Sequence, residues 1–255
     1  MGHDFVGGVA LFQEFWPAWQ KEADWHARFR LVGVPLSELE VAHGPASAGK
    51  APCWLGEGER ERFVGLTSAK RRQEWLGGRL AAKMAAAGLR GEAAAWRSIE
   101  IRVGAGGRPM VDGGPHLSIS HSGPLAVALA AEKPCGLDVQ QLTSGLLRVR
   151  SRYAAPEEEA LLAGALPVHP LLSRLALLWA AKEAVRKLGL VRPLTSLLAT
   201  RMVAARGSAT PEAPLRLILL GPSGGDAAGI ELTVLALLSQ GMAWAVCLAP
   251  QPVTE

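Results

Sequence analysis

Two segments of this chain combine residues able to do chemistry. Leu178-Trp179-Ala180-Ala181-Lys182-Glu183-Ala184-Val185-Arg186-Lys187 holds a carboxylate and a lysine four residues apart, and Gly136-Leu137-Asp138-Val139-Gln140 holds a second carboxylate. Acids that converge from separate elements suit a hard divalent cation, and a lysine beside them suits a phosphate oxygen. Taken alone, the Glu183–Lys187 spacing is also that of an ordinary helix-surface ion pair, worth about 0.2–0.5 kcal/mol.

The elements that must position these groups are readable from pattern and composition. The run 171–188 is rich in Leu, Ala, Lys, Glu and Arg and is stopped by Gly189 and then Pro193, which predicts a helix with Trp179, Glu183, Arg186 and Lys187 on one face. Asp138 falls on a short apolar strand after a Pro134/Gly136 turn. Residues 57–89 predict a long basic helix or helix pair carrying Arg60, Arg62, Lys70, Arg71, Arg72, Arg79 and Lys83. That face is either solvated or a phosphate contact. Strands are predicted at 30–41, 98–103, 116–120, 125–131, 215–220, 230–238 and 242–248. Residues 232–250 carry no charge, but Ser239-Gln240-Gly241 at their centre predicts a buried hairpin rather than a membrane span. Phe12, Phe15, Trp16, Trp19 and Trp25 form an aromatic stripe suited to packing, and no repeat is visible in the letters themselves.

Three further elements precede the acids in a fixed order: Gly107-Arg108-Pro109, His116-Leu117-Ser118-Ile119-Ser120-His121-Ser122-Gly123, and the Asp138 strand. Together with the Trp179–Lys187 helix they resemble the 4′-phosphopantetheinyl transferases of the surfactin-synthetase type, over residues 54–250. The resemblance implies an α+β fold of two similar halves related by a pseudo-twofold, with the cofactor at their junction. It divides the chain into an aromatic extension (1–30), an N-terminal half (31–132) and a C-terminal half with the metal motifs (133–255).

The function so implied is Mg²⁺-dependent transfer of phosphopantetheine from coenzyme A to a serine of an acyl or peptidyl carrier protein, releasing adenosine 3′,5′-bisphosphate. Asp138 and Glu183 are then the metal ligands, Mn²⁺ being a second ion they could take. Lys187 meets the pyrophosphate, His121, Arg108 and Ser120 meet the ribose 3′-phosphate, and Arg62 takes the upstream coenzyme A contact. Many members carry a second acid where this chain has Gln140, whose amide oxygen is an uncharged ligand. Glu157 matches an acid near the metal, although acids after a helix-opening proline also simply start a helix well. The general base is Glu183 or Glu157.

Composition agrees with a soluble cytoplasmic enzyme, and the internal pseudo-symmetry that the resemblance implies suits a monomer. A net charge of +4 favours acidic partners, such as carrier proteins and coenzyme A, and 49% hydrophobic residues allow a substantial core. Cys53, Cys135 and Cys247 lie far apart, which indicates neither a disulfide framework nor zinc. Gly44–Lys50 fits seven positions of a phosphate loop, but Ala51 stands where that loop needs Ser or Thr. No G-x-S-x-G elbow surrounds the serines near His121. The basic residues are dispersed and form no nucleic-acid motif. A degenerate module that binds coenzyme A without turnover is the alternative, motivated by Gln140.

Overall fold

The computed structural model describes residues 27–43, 51–189, 196–210, 213–221 and 229–250. The N-terminal aromatic stripe and the Gly44–Lys50 segment lie outside them. The chain divides into two compact units at Lys133/Pro134. Each is an α+β unit with its own five-stranded antiparallel sheet.

The first unit contains β1 (Phe29–Pro35), α1 (Leu36–His43), α2 (Glu57–Val64), α3 (Ala69–Arg90), β2 (Arg102–Val103), β3 (Pro109–Met110), β4 (His116–Ser122) and β5 (Leu125–Ala131), with strand order β1-β5-β4-β3-β2. Its core joins Val32 and Val34, Phe63, the Ala81–Ala87 face of α3, and Ala128 and Ala130. Gly77 and Gly78 stand inside α3, where glycine costs about 1 kcal/mol against alanine. Their gain is proximity, because a Cβ on Gly77 would lie 2.6 Å from Leu36 Cδ2 and one on Gly78 would lie 2.8 Å from Ile119 Cγ2.

The second unit contains β6 (Cys135–Gln141), α4 (Gly145–Arg148), α5 (Pro156–Ala165), α6 (Leu171–Leu188), β7 (Arg201–Arg206), β8 (Leu215–Leu220), β9 (Glu231–Ser239) and β10 (Met242–Leu248), ordered β6-β10-β9-β8-β7. Its core is separate and is built from α6, the inner faces of β8–β10, and Tyr153 and Leu162. Helix α6 ends at Gly189, which adopts the left-handed conformation (φ 83°). Gln240 and Gly241 both have positive φ and close the β9–β10 hairpin. None of the described helices is long and apolar enough to cross a membrane.

The units repeat one topology: an edge strand, three helices, then a four-stranded meander whose last strand pairs with the first. That repeat agrees with the two similar α+β halves that the resemblance implied, although the letters themselves show none. Two strand assignments also change. Residues 30–41 split into β1 and α1 at Pro35, and 98–103 narrows to β2 because a 3₁₀ turn occupies Ala93–Ser98. The β7 strand was not anticipated. The basic segment is a helix pair, with a break at Gly65.

Gly136 fixes how closely β6 approaches α6. A Cβ there would fall 1.8 Å from the Ala184 carbonyl oxygen, so any side chain must push strand and helix apart. Gly136→Ala is expected to destabilise the protein by roughly 3 kcal/mol or more, as severe overpacking does. A thermal melt unchanged from wild type would show that the contact relaxes freely.

Candidate active site

The Gly136 contact positions the acids. Residues i and i+2 of a strand share a face, so Asp138 and Gln140 follow Gly136 toward α6, from which Glu183 projects. The cross-strand partners of these positions in β10 are small: Cys247, Ala245 and Ala243. Asp138 and Glu183 are each only 6% exposed. Lys187 Nζ donates to Asp138 Oδ1 at 2.6 Å and Arg186 Nη2 donates to Glu183 Oε2 at 2.5 Å. The (i, i+4) surface pair suggested by spacing is therefore not the one made: Glu183 takes the residue at i+3, and Lys187 reaches across to the strand. Gln140 Nε2 donates to the Gln141 carbonyl at 2.9 Å.

Burial pushes the Glu183 carboxyl above the ordinary carboxylate range. Arg186 and Lys187 pull it down, and the Asp138 charge adds to the rise. The two acids thus act on each other electrostatically. Among the described residues no group of three His, Cys, Asp or Glu side chains converges as a metal cage. Two buried carboxylates and an amide oxygen still fit Mg²⁺, which usually takes one or two carboxylates and keeps several waters.

Glu157 is exposed on the first turn of α5, and its neighbour Glu158 turns inward. Glu158 Oε2 accepts from the Ala155 backbone N–H at 2.9 Å and from Lys182 Nζ at 2.7 Å, and its Oε1 accepts from Met202 N–H at 2.7 Å. Lys182, fully buried, also donates to the Tyr153 carbonyl at 2.7 Å. Burial pulls Lys182 below the ordinary lysine range, and Glu158 opposes this.

The first unit builds the same strut. Glu59 Oε2 accepts from Gly56 N–H at 2.9 Å and pairs with Lys83 Nζ at 2.7 Å, Glu59 Oε1 accepts from Ile101 N–H at 3.3 Å, and Lys83 donates to the Trp54 carbonyl at 3.0 Å. Acid and lysine lie 24 residues apart in both units. That equal spacing is the signal of the repeat, and it passed unnoticed because single acids and lysines are common. It also takes Lys83 out of any solvated basic face.

The phosphate-side candidates lie in the first unit. His121 is exposed near the end of β4, with Nδ1 3.8 Å from Glu74 Oε2. Ser120, beside it, is buried. Arg108 is exposed just before β3, and its charge, after burial, lowers the pKa of His116 at the opposite end of β4. Arg62 lines a cleft of about 670 Å³ with Trp75, Arg79 and Arg102 and with the acids Glu57, Glu59, Glu61 and Glu100, so the arginines there are offset by carboxylates. Arg79 is 7% exposed, its guanidinium carbon lies 4.9 Å from the Trp75 ring centroid, and its Nε has no hydrogen-bond partner among the described residues. Trp75 and Arg102 were not among the residues singled out in the sequence, whereas Arg79 was read there only as one of the basic residues of 57–89; the Gly77-Gly78 step before it seats the helix tightly and buries it.

No curated protein matches this chain. The family model described as 4'-phosphopantetheinyl transferase N-terminal domain matches residues 59–131, which runs from the strut acid of the first unit to the end of β5. Over that segment the first unit is similar to the N-terminal domain of 4′-phosphopantetheinyl transferases.

Proposed function

We propose that this protein moves 4′-phosphopantetheine from coenzyme A to a serine of an acyl or peptidyl carrier protein. The observation that carries the reading is the pair of buried carboxylates, Asp138 on β6 and Glu183 on α6, each held by a cation of α6: Lys187 on Asp138 and Arg186 on Glu183. Asp138 and Glu183, with the Gln140 oxygen, would hold Mg²⁺. Bound there, the ion would neutralise charge on the pyrophosphate.

Lys187 exchanges its contact with Asp138 for a pyrophosphate oxygen. Arg62, Arg108, Ser120 and His121 take the ribose 3′-phosphate and its surroundings. The serine hydroxyl attacks the β-phosphorus, its proton passes to a carboxylate, and adenosine 3′,5′-bisphosphate leaves. Glu183 suits the role better than Glu157 on geometry, because it is buried beside Asp138 and Lys187 whereas Glu157 is exposed on the first turn of α5.

Intact-protein mass spectrometry of apo carrier proteins, incubated with this protein, coenzyme A and Mg²⁺ against an EDTA control, tests the reaction. A metal-dependent gain of one phosphopantetheine on the carrier is expected. Coenzyme A bound in calorimetry with no carrier modified would favour the binding module without turnover. His121→Ala is expected to weaken coenzyme A about tenfold or more, the scale of a lost charge-assisted contact, and dephospho-coenzyme A much less. Equal losses for both ligands would remove His121 from the 3′-phosphate.

A further inference from the structure

Arg186 has no role in the reaction described above, yet its guanidinium occupies Glu183 Oε2. Asp138, Glu183, Arg186 and Lys187 form two contacting ion pairs, so this group is balanced in charge as it stands, and Gln140 adds none. A divalent cation entering here meets two positive charges already seated on its ligands. Both carboxylates are buried, so their attraction for either cation is screened less than that of a surface pair, while the two side-chain cations remain partly exposed.

A cation must therefore leave, and the geometry differs between the two. Lys187 reaches from α6 to a partner on β6, and its side chain is 27% exposed. Arg186 pairs within its own helix, three residues on, and its side chain is 41% exposed. Rotation of the Arg186 side chain alone carries the guanidinium into solvent and frees Glu183, with no backbone movement. An ordinary surface pair would differ in one respect: its acid would be solvated, whereas the Glu183 side chain is only 8% exposed.

Resting on the metal reading above, we propose that Arg186 is a resident counter-ion of Glu183 that a divalent cation displaces, so that metal binding is an exchange and Arg186 sets the metal concentration required. Calorimetric titration of Mg²⁺ into the full chain, without coenzyme A, tests this in wild type, Arg186→Met, Glu183→Gln and the double variant, each first checked for a cooperative melt.

Arg186→Met is expected to bind Mg²⁺ roughly tenfold more tightly, the scale of one charge-assisted hydrogen bond removed from the metal-free state. In the Glu183→Gln background the same substitution should give no gain. Equal or weaker binding by Arg186→Met, with wild type still binding, overturns the counter-ion role and leaves the metal reading standing. Unchanged Mg²⁺ affinity with weakened coenzyme A binding also overturns it, and makes Arg186 a phosphate ligand. Absence of Mg²⁺ binding in wild type overturns both.

Discussion

Glu183→Gln and Asp138→Ala are each expected to lower phosphopantetheine transfer by about 10³-fold or more, some 4 kcal/mol of transition-state stabilisation, while the protein stays folded. The loss follows from removing one of the two buried carboxylates proposed to hold the cation beside Lys187. Folding should survive Glu183→Gln for a separate reason. Because burial raises the Glu183 carboxyl in the folded state, the stability tied to that group is full below its unfolded pKa and declines as pH rises through the folded one. At neutral pH the ionised side chain is therefore a cost, about 1.4 kcal/mol for each tenfold by which folding tightens its hold on the proton. The amide should melt at the same temperature as wild type or above it in the absence of metal, and Mg²⁺ should raise the melting temperature of wild type only. Near-normal transfer by either variant would sink the metal assignment.

Lys182→Met is expected to cost about 3–5 kcal/mol of stability, because it leaves Glu158 buried without its cation. Against a typical total of about 5–15 kcal/mol that is a large fraction. Lys83→Met should cost a similar amount, since Glu59 holds the same three kinds of partner. Replacing the acid should be worse than replacing the lysine. Glu158 also satisfies two backbone N–H groups, at Ala155 and Met202, which would be left bare where they are enclosed. Chemical denaturation of the two lysine variants measures this, and a loss below about 1 kcal/mol in either would mean that its acid finds another partner. The strut matters to the proposed reaction because Lys182 precedes Glu183 on α6, so a shift of that helix would carry the proposed metal ligand with it.

Much of this was legible in the letters. The bounds of α6, β5, β8 and β10 follow from short-range pattern, since each is an uninterrupted run of like residues closed by glycine, proline or a polar turn. The motif residues around His121, Asp138 and Glu183 pointed to one superfamily, which the match over residues 59–131 supports for the first unit. Short strands read less well: β2 and β7 exist through pairing to β3 and β8, a long-range property their own residues do not announce.

The sequence by itself determined which acids, lysines and histidine were available, and on which helices and strands they would lie, because propensity and periodicity act over a few residues. Which groups touch was decided only by the tertiary structure. Lys187 pairs with a strand 49 residues away rather than with the acid one turn back, Glu158 turns inward where Glu157 does not, and Lys83 disappears into a core. Each outcome depends on how closely a helix seats on its sheet. That distance is set at Gly136 and at Gly77-Gly78 by contacts between segments far apart in the chain.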